Sequence, residues 1–148
     1  DHYTFWGVWR PAAAVIAAYL LVAGYVYFAR AVLPGFLVPE STVPSGISRE
    51  SSTLAIAFAA TVVGAPLSEE LFFRGFVFGG LSKWGFWPAA AISALLFALV
   101  HFDPGSLIPF FGIGIAMAWL FWSRGSLWDS VLFHFLFNFT SFLILASG

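Results

Sequence analysis

The chain has 148 residues, 61% of them hydrophobic and 9% charged, with a net charge of −1. That apolar share exceeds the roughly 45–50% of soluble domains, so lipid is the expected solvent for its 19 Phe and 7 Trp. The absence of cysteine excludes disulfides, thiolate metal sites and a cysteine nucleophile, and the near-neutral charge leaves no basic footprint for nucleic acid.

The length fits one membrane-embedded, all-α domain over 1–148, with a core at 53–146 and an accessory first span at 12–33. A start at Asp1 and a sole methionine at Met117 suggest a fragment of a longer chain. Trp6 to Pro11 reads as an interfacial lead-in anchored by Trp6, Trp9 and Arg10. Ala12 to Leu33 is the first span, ended by Pro34-Gly35. Phe36 to Ser52 reads as a polar loop with Pro39, Pro44, Gly46 and the pair Arg49-Glu50, and Ser51 or Ser52 can cap the next helix.

Thr53 to Leu81 is the second span, interrupted by Gly64-Ala65-Pro66. Pro66 is expected to kink the helix or start a new one. Glu69 and Glu70 would then lie in a first turn, where the helix dipole favours negative charge. Gly75 and Gly79 form a small-xxx-small pair suited to close helix packing. Lys83 to Trp87 is a turn. Pro88 to His101 is a third span of about 20 Å, too short to cross alone, and Phe102-Asp103-Pro104-Gly105-Ser106 stops it. Leu107 to Trp122 is the fourth span, with a small-residue face of Gly112, Gly114, Ala116 and Ala118; Leu127 to Ala146 is the fifth.

Five alternating spans put all seven tryptophans, with Arg10, Lys83 and Arg124, on the face that holds the N-terminus (face A), as an interfacial aromatic girdle requires. Helical rise then places Glu69 about 18 Å, His101 about 20 Å, His134 about 12 Å and Asn138 about 18 Å from that face. Polar groups from three helices converge near mid-membrane, and the short third helix predicts a polar cavity there that opens toward the opposite face (face B). The Asp103-Pro104-Gly105 loop would line its mouth.

Charges inside a span are expensive and are functional by default. In Ser68-Glu69-Glu70-Leu71-Phe72-Phe73-Arg74, the spacing pairs Glu70 with Arg74 one turn apart. Glu69 is left without a local partner and free for chemistry. A carboxylate with an imidazole can activate water as a general base and pass the proton to a leaving amine; a second His with Asn one turn on can donate hydrogen bonds to an oxyanion. The candidate set is therefore Glu69, His101, His134 and Asn138, supported by Glu70, Arg74 and Phe97, whose ring lies one turn before His101. The chain has no H-E-x-x-H helix and no G-x-S-x-G elbow. Ser68, Ser93, Ser130 and Ser141 read as hydroxyls back-bonded to helix carbonyls or bridging helices. Asp129 reads as interfacial, and Asp103 as a loop cap or a group orienting His101. Zinc held by Glu69, His101 and His134 is the chemical alternative, since zinc accepts these ligands.

Glu69-Glu70-Leu71-Phe72-Phe73-Arg74, Phe97-Ala98-Leu99-Val100-His101 and His134-Phe135-Leu136-Phe137-Asn138 resemble the E-E-x-x-x-R, F-x-x-x-H and H-x-x-x-N signature of the membrane-embedded CAAX-protease and bacteriocin-processing family (CPBP, or Abi). Each motif alone is weak; all three in order, each on its own span, are specific. The resemblance runs from about Thr53 to Ala146 and is closest in kind to the type II CAAX prenyl proteases. It implies an all-helical intramembrane endopeptidase of glutamate type with no cofactor. In it, Glu69 and His101 activate water, His134 and Asn138 stabilise the oxyanion, and Glu70 and Arg74 support the site.

The expected partners are a peptide or prenylated-peptide substrate and membrane lipid, with no nucleic acid, in an integral protein of a prokaryotic cell membrane. CAAX-cleaving members are longer, so the resemblance supports the chemistry better than the substrate. Two other classes fit some of these features. One is a non-proteolytic membrane protein for bacteriocin self-immunity or partner regulation, which would tolerate an isosteric Glu69→Gln change. The other is a transporter, against which the lack of an inverted repeat argues.

Overall fold

The computed structural model describes residues 5–39 and 51–147. They form an all-helical bundle with five principal helices: α1 (Phe5–Val32), α2 (residues 51–81), α3 (Phe86–Leu99), α4 (Leu107–Arg124) and α5 (Leu127–Ser147). Four of these helical stretches are long and apolar enough to cross a membrane, and α3 is shorter. This is the architecture of an integral membrane protein, in which helices satisfy their own backbone groups.

α1 begins before the expected span, so the Trp6–Pro11 lead-in is helical and Pro11 sits inside the helix. Gly35–Leu37 forms a single 3-10 turn after Pro34. Pro44, Gly46 and the Arg49-Glu50 pair lie outside the described residues.

α2 departs most from expectation. Gly64 and Ala65 keep right-handed helical torsions, so Pro66 neither breaks nor restarts the helix. The hydrogen-bond ladder slips instead. Residues Ala59–Gly64 and Leu71–Phe78 are π-helical, with Ala65 N–H bonded to Ala60 O and Gly79 N–H to Arg74 O. An i→i+5 register accommodates the N–H that proline lacks. Glu69 and Glu70 therefore lie in mid-helix, and no helix N-terminus is present to stabilise them.

Packing reads from both ends. At the face A end, the Arg10 guanidinium lies over Trp119 and donates to Ser123 Oγ, while Phe78 and Phe86 abut Trp122. The starts of α1 and α3 thus meet the ends of α2 and α4, as the alternating topology requires. At the other end, Asp103 caps the Pro104–Ser106 turn by accepting from Gly105 N–H and from Ser106 Oγ. Gly105 is needed there, because a Cβ would overlap the Val38 carbonyl.

The core between the ends is built from Phe73, Phe97, Ile113, Met117, Leu120 and Phe133, with Val15 and Ala18 of α1. α3 packs closely on α4, where a Cβ on Gly114 would sit 2.7 Å from Ala94 Cβ. Gly75 and Gly79 do not serve this purpose. Their nearest neighbours are the carbonyls of Glu70 and Arg74 in their own helix. Gly112 likewise faces open space. Asp129 is buried against the protein and faces the Arg124 guanidinium, with Oδ2 3.6 Å from Nε.

Candidate active site

Glu70 and Arg74 are both fully buried, and Glu70 Oε1 accepts from Arg74 at 2.8 Å. This is the ion pair expected from their spacing. Arg74 also donates to Gly114 O at 3.3 Å across to α4, and its guanidinium lies over the Phe97 ring at 4.7 Å. A buried guanidinium is retained only with such partners.

The same Glu70 Oε1 lies 2.9 Å from His134 Nδ1. A carboxylate paired to arginine only accepts, so Nδ1 carries the hydrogen. The other ring nitrogen of His134 is turned toward Glu69, with Nε2 4.0 Å from Oε2. His134 thus bridges the two neighbouring carboxylates. Helical rise alone puts His134 shallower than Glu69. The wider π-helical turn of Leu71–Phe78 advances less per residue, which reduces the difference. This bridge is not legible in the sequence, since the partners are 64 positions apart.

Glu69 differs from Glu70 in exposure and in having no arginine partner. Its side chain is 29% exposed, and Oε2 makes no hydrogen bond among the described residues. His101 lies in the turn beyond α3, not within the helix. Its Nδ1 donates to Phe97 O at 2.7 Å, satisfying one of the carbonyls orphaned at a helix C-terminus. With the hydrogen on Nδ1, Nε2 carries the lone pair that a base requires. The ring packs against Phe97 (4.8 Å) and Phe110 (4.4 Å). No hydrogen bond or ion pair links His101 to Glu69 among the described residues.

Asn138, on α5 one turn after His134, donates through Nδ2 to Thr61 O on α2 at 2.8 Å. The structure therefore joins Glu70, Arg74 and His134 directly, sets Glu69 4.0 Å from His134, brings in His101 through Phe97, and holds Asn138 against the backbone of α2. Among the described residues no three His, Asp or Glu side chains converge as a metal site.

The hydroxyls are structural. Ser68 bonds Gly64 O and Ala65 O, Ser93 reaches Phe73 O, Ser130 bonds Leu127 O, and Ser141 meets Tyr19. Tyr19 also donates to Phe137 O and stacks on the Phe137 ring, which ties α1 to α5 beside Asn138.

A family model described as "Type II CAAX prenyl endopeptidase Rce1-like" matches residues 51–140, which hold all three motifs. The chain is 32% identical over 105 residues to "Putative membrane peptidase YdiL" of Bacillus subtilis, covering 63% of this chain and 43% of that protein. It is 31% identical over 106 residues to "UPF0177 protein YxdF" of Lactococcus lactis subsp. lactis, covering 70% and 59% respectively. The chain thus spans about half the length of the curated relatives it matches. No solved structure gives a significant match. With its three motifs inside the matched region, the chain belongs to the Rce1-like family of type II CAAX prenyl endopeptidases.

Proposed function

We propose that this chain carries the catalytic centre of an intramembrane endopeptidase that hydrolyses a peptide bond with a water activated by Glu69 and His101. The observation that supports it most is the division of labour between adjacent carboxylates. Glu70 Oε1 accepts from both Arg74 and His134; Glu70 Oε2 and Glu69 Oε2 have no hydrogen-bond partner among the described residues, and Glu69 Oε2 faces His134.

In this reading Glu69, assisted by His101 Nε2, takes a proton from water as the water oxygen bonds to the scissile carbonyl carbon. The oxyanion is held by the second Nδ2 hydrogen of Asn138 and by His134. His134 donates at Nε2 in its imidazolium form, since its Nδ1 hydrogen is committed to Glu70. The C–N bond then breaks, and the proton from water leaves on the amine. No step passes through a metal. The substrate class proposed is a peptide with an apolar tail, of which a prenylated CAAX C-terminus is the leading case, and the site of action is a prokaryotic cell membrane. The description of the family model supports the CAAX-type substrate, and the name of the Bacillus relative supports a membrane peptidase.

The test is cleavage of prenylated and unprenylated peptide pools by the full-length protein in lipid, read by mass spectrometry beside Glu69→Gln. The wild type is expected to cut, and the variant to lose about 100-fold or more. Equal cutting by both overturns the mechanism. A folded protein that cuts nothing favours the non-proteolytic immunity or regulatory role.

A further inference from the structure

We infer that Pro66 is a positioning residue for Asn138, acting through the backbone carbonyl of Thr61. The inference deepens the proposed mechanism and rests on it for the role of Asn138 toward substrate. Its geometry begins with the slipped ladder of α2. Ala65 N–H bonds Ala60 O, five residues back. In that register the next carbonyl, Thr61 O, faces the nitrogen of residue 66. That residue is proline and has no hydrogen to give. The carbonyl is stranded within a membrane span, where no lipid group can satisfy it.

Asn138 supplies what is missing, with Nδ2 2.8 Å from Thr61 O. The Thr61 hydroxyl is not a competitor, because it bonds Ala57 O at 2.7 Å. A carbonyl can only accept, so the bond decides which way the carboxamide is turned. Nδ2 lies against α2 with one hydrogen spent, and the second hydrogen and Oδ1 take the orientations that remain. Pro66 is itself fully buried and carries no group that reacts in this scheme. Its contribution is a missing hydrogen bond that obliges the neighbouring helix to present an amide in one orientation.

The experiment compares the full-length wild type with Pro66→Ala, Asn138→Ala and the double variant in lipid bilayers. Alanine at 66 restores an N–H that competes for the Thr61 carbonyl, and it favours helix, so the variant is expected to fold. The first readout is the side-chain amide signal of Asn138 by solid-state NMR, assigned by its loss in Asn138→Ala. In the wild type one Nδ2 hydrogen is expected to be shifted downfield and slow to exchange; in Pro66→Ala that distinction is lost. An unchanged Asn138 signal overturns the inference whether or not the protein is active.

The second readout is kinetic, on a peptide that the wild type cleaves. Pro66→Ala is expected to lower kcat about 10-fold or more with KM little changed, as misplacement of a catalytic group does. It should add nothing in the Asn138→Ala background. If Asn138→Ala is slow while Pro66→Ala turns over at the wild-type rate, the inference fails and the mechanism stands. If Asn138→Ala turns over normally, the oxyanion role of Asn138 fails, and the amide signal alone decides the inference.

Discussion

The face of the Phe97 ring carries the Arg74 guanidinium, 4.7 Å from its centroid. The same ring meets Phe73 at 5.5 Å, His101 at 4.8 Å and His134 at 5.8 Å. One phenyl group from α3 is therefore in contact with the arginine of the first motif and the histidines of the other two. Its π face offsets part of the desolvation of a buried cation, and its edges fix two imidazoles. Phe97→Leu, which keeps apolar bulk, is expected to lower stability by about 2 kcal/mol through the lost cation–π contact. Phe97→Ala is expected to cost about 3–5 kcal/mol. Reversible unfolding in mixed micelles followed by circular dichroism measures both.

Neutralising the two adjacent carboxylates should give opposite outcomes. Glu70→Gln leaves Arg74 buried without its counter-ion, and breaking a buried pair costs about 3–5 kcal/mol. Glu69→Gln removes no hydrogen bond of Oε2 among the described residues, so its stability should stay within about 1 kcal/mol of wild type while cleavage is lost. The same unfolding experiment, paired with the cleavage assay, separates the carboxylate expected to hold the fold from the one proposed to do the chemistry.

Gly114→Ala places a methyl 2.7 Å from Ala94 Cβ and 2.8 Å from Ala94 Cα. Neither atom can rotate away, so α3 and α4 must part, and the Arg74 bond to Gly114 O lengthens with them. The expected loss is about 1–3 kcal/mol, with reduced activity. Gly112→Ala, two residues earlier on the same helix, meets nothing within 4 Å. It is expected to stabilise slightly, by up to about 1 kcal/mol, from helix propensity alone. A shared response of the two variants in thermal unfolding would contradict the close approach at Gly114.

Phe102, immediately after His101, holds a left-handed backbone at φ 53° and leaves 91% of its surface exposed. That conformation costs a side-chain-bearing residue roughly 1–2 kcal/mol. Phe102→Gly is expected to raise stability by about 1 kcal/mol, observable as a higher unfolding midpoint. A fall would show that the ring contributes more to the fold than the backbone strain removes.

Removal of divalent ions by a chelator is expected to leave peptide cleavage unchanged, because Glu69, His101 and His134 do not gather as metal ligands. Loss of activity on chelation, restored by added zinc, would move the chemistry to a metal-activated water.

Local spacing makes part of this architecture legible. The i,i+4 pairing of Glu70 with Arg74 and the contact of Phe97 with His101 depend on helix periodicity, and both are present in the structure. The five helices follow from hydropathy and breakers. Features that depend on neighbouring helices are not legible. Glu70 accepts from a histidine on α5 because tertiary packing brings it there, and Asp129 is buried because Arg124 faces it. The small-residue rule names four glycines, but only Gly114 is pressed against another helix. Pro66 reads as a breaker because proline usually ends a helical ladder. A helix can instead slip its register by one, and the clue is an asparagine on another span able to bond the stranded carbonyl.

The 14 residues of α3 span about 21 Å of helix, about 9 Å less than a typical hydrocarbon core of roughly 30 Å. Lipid beside α3 must thin, or water must descend, to meet the polar turn that begins at His101. The cost of either response grows with acyl-chain length, at fractions of a kcal/mol per Å of mismatch. The thickness of the host membrane is thus expected to tune how readily the centre is wetted. Short-chain lipids would ease the entry of water, and long-chain lipids would restrain it without touching a single side chain.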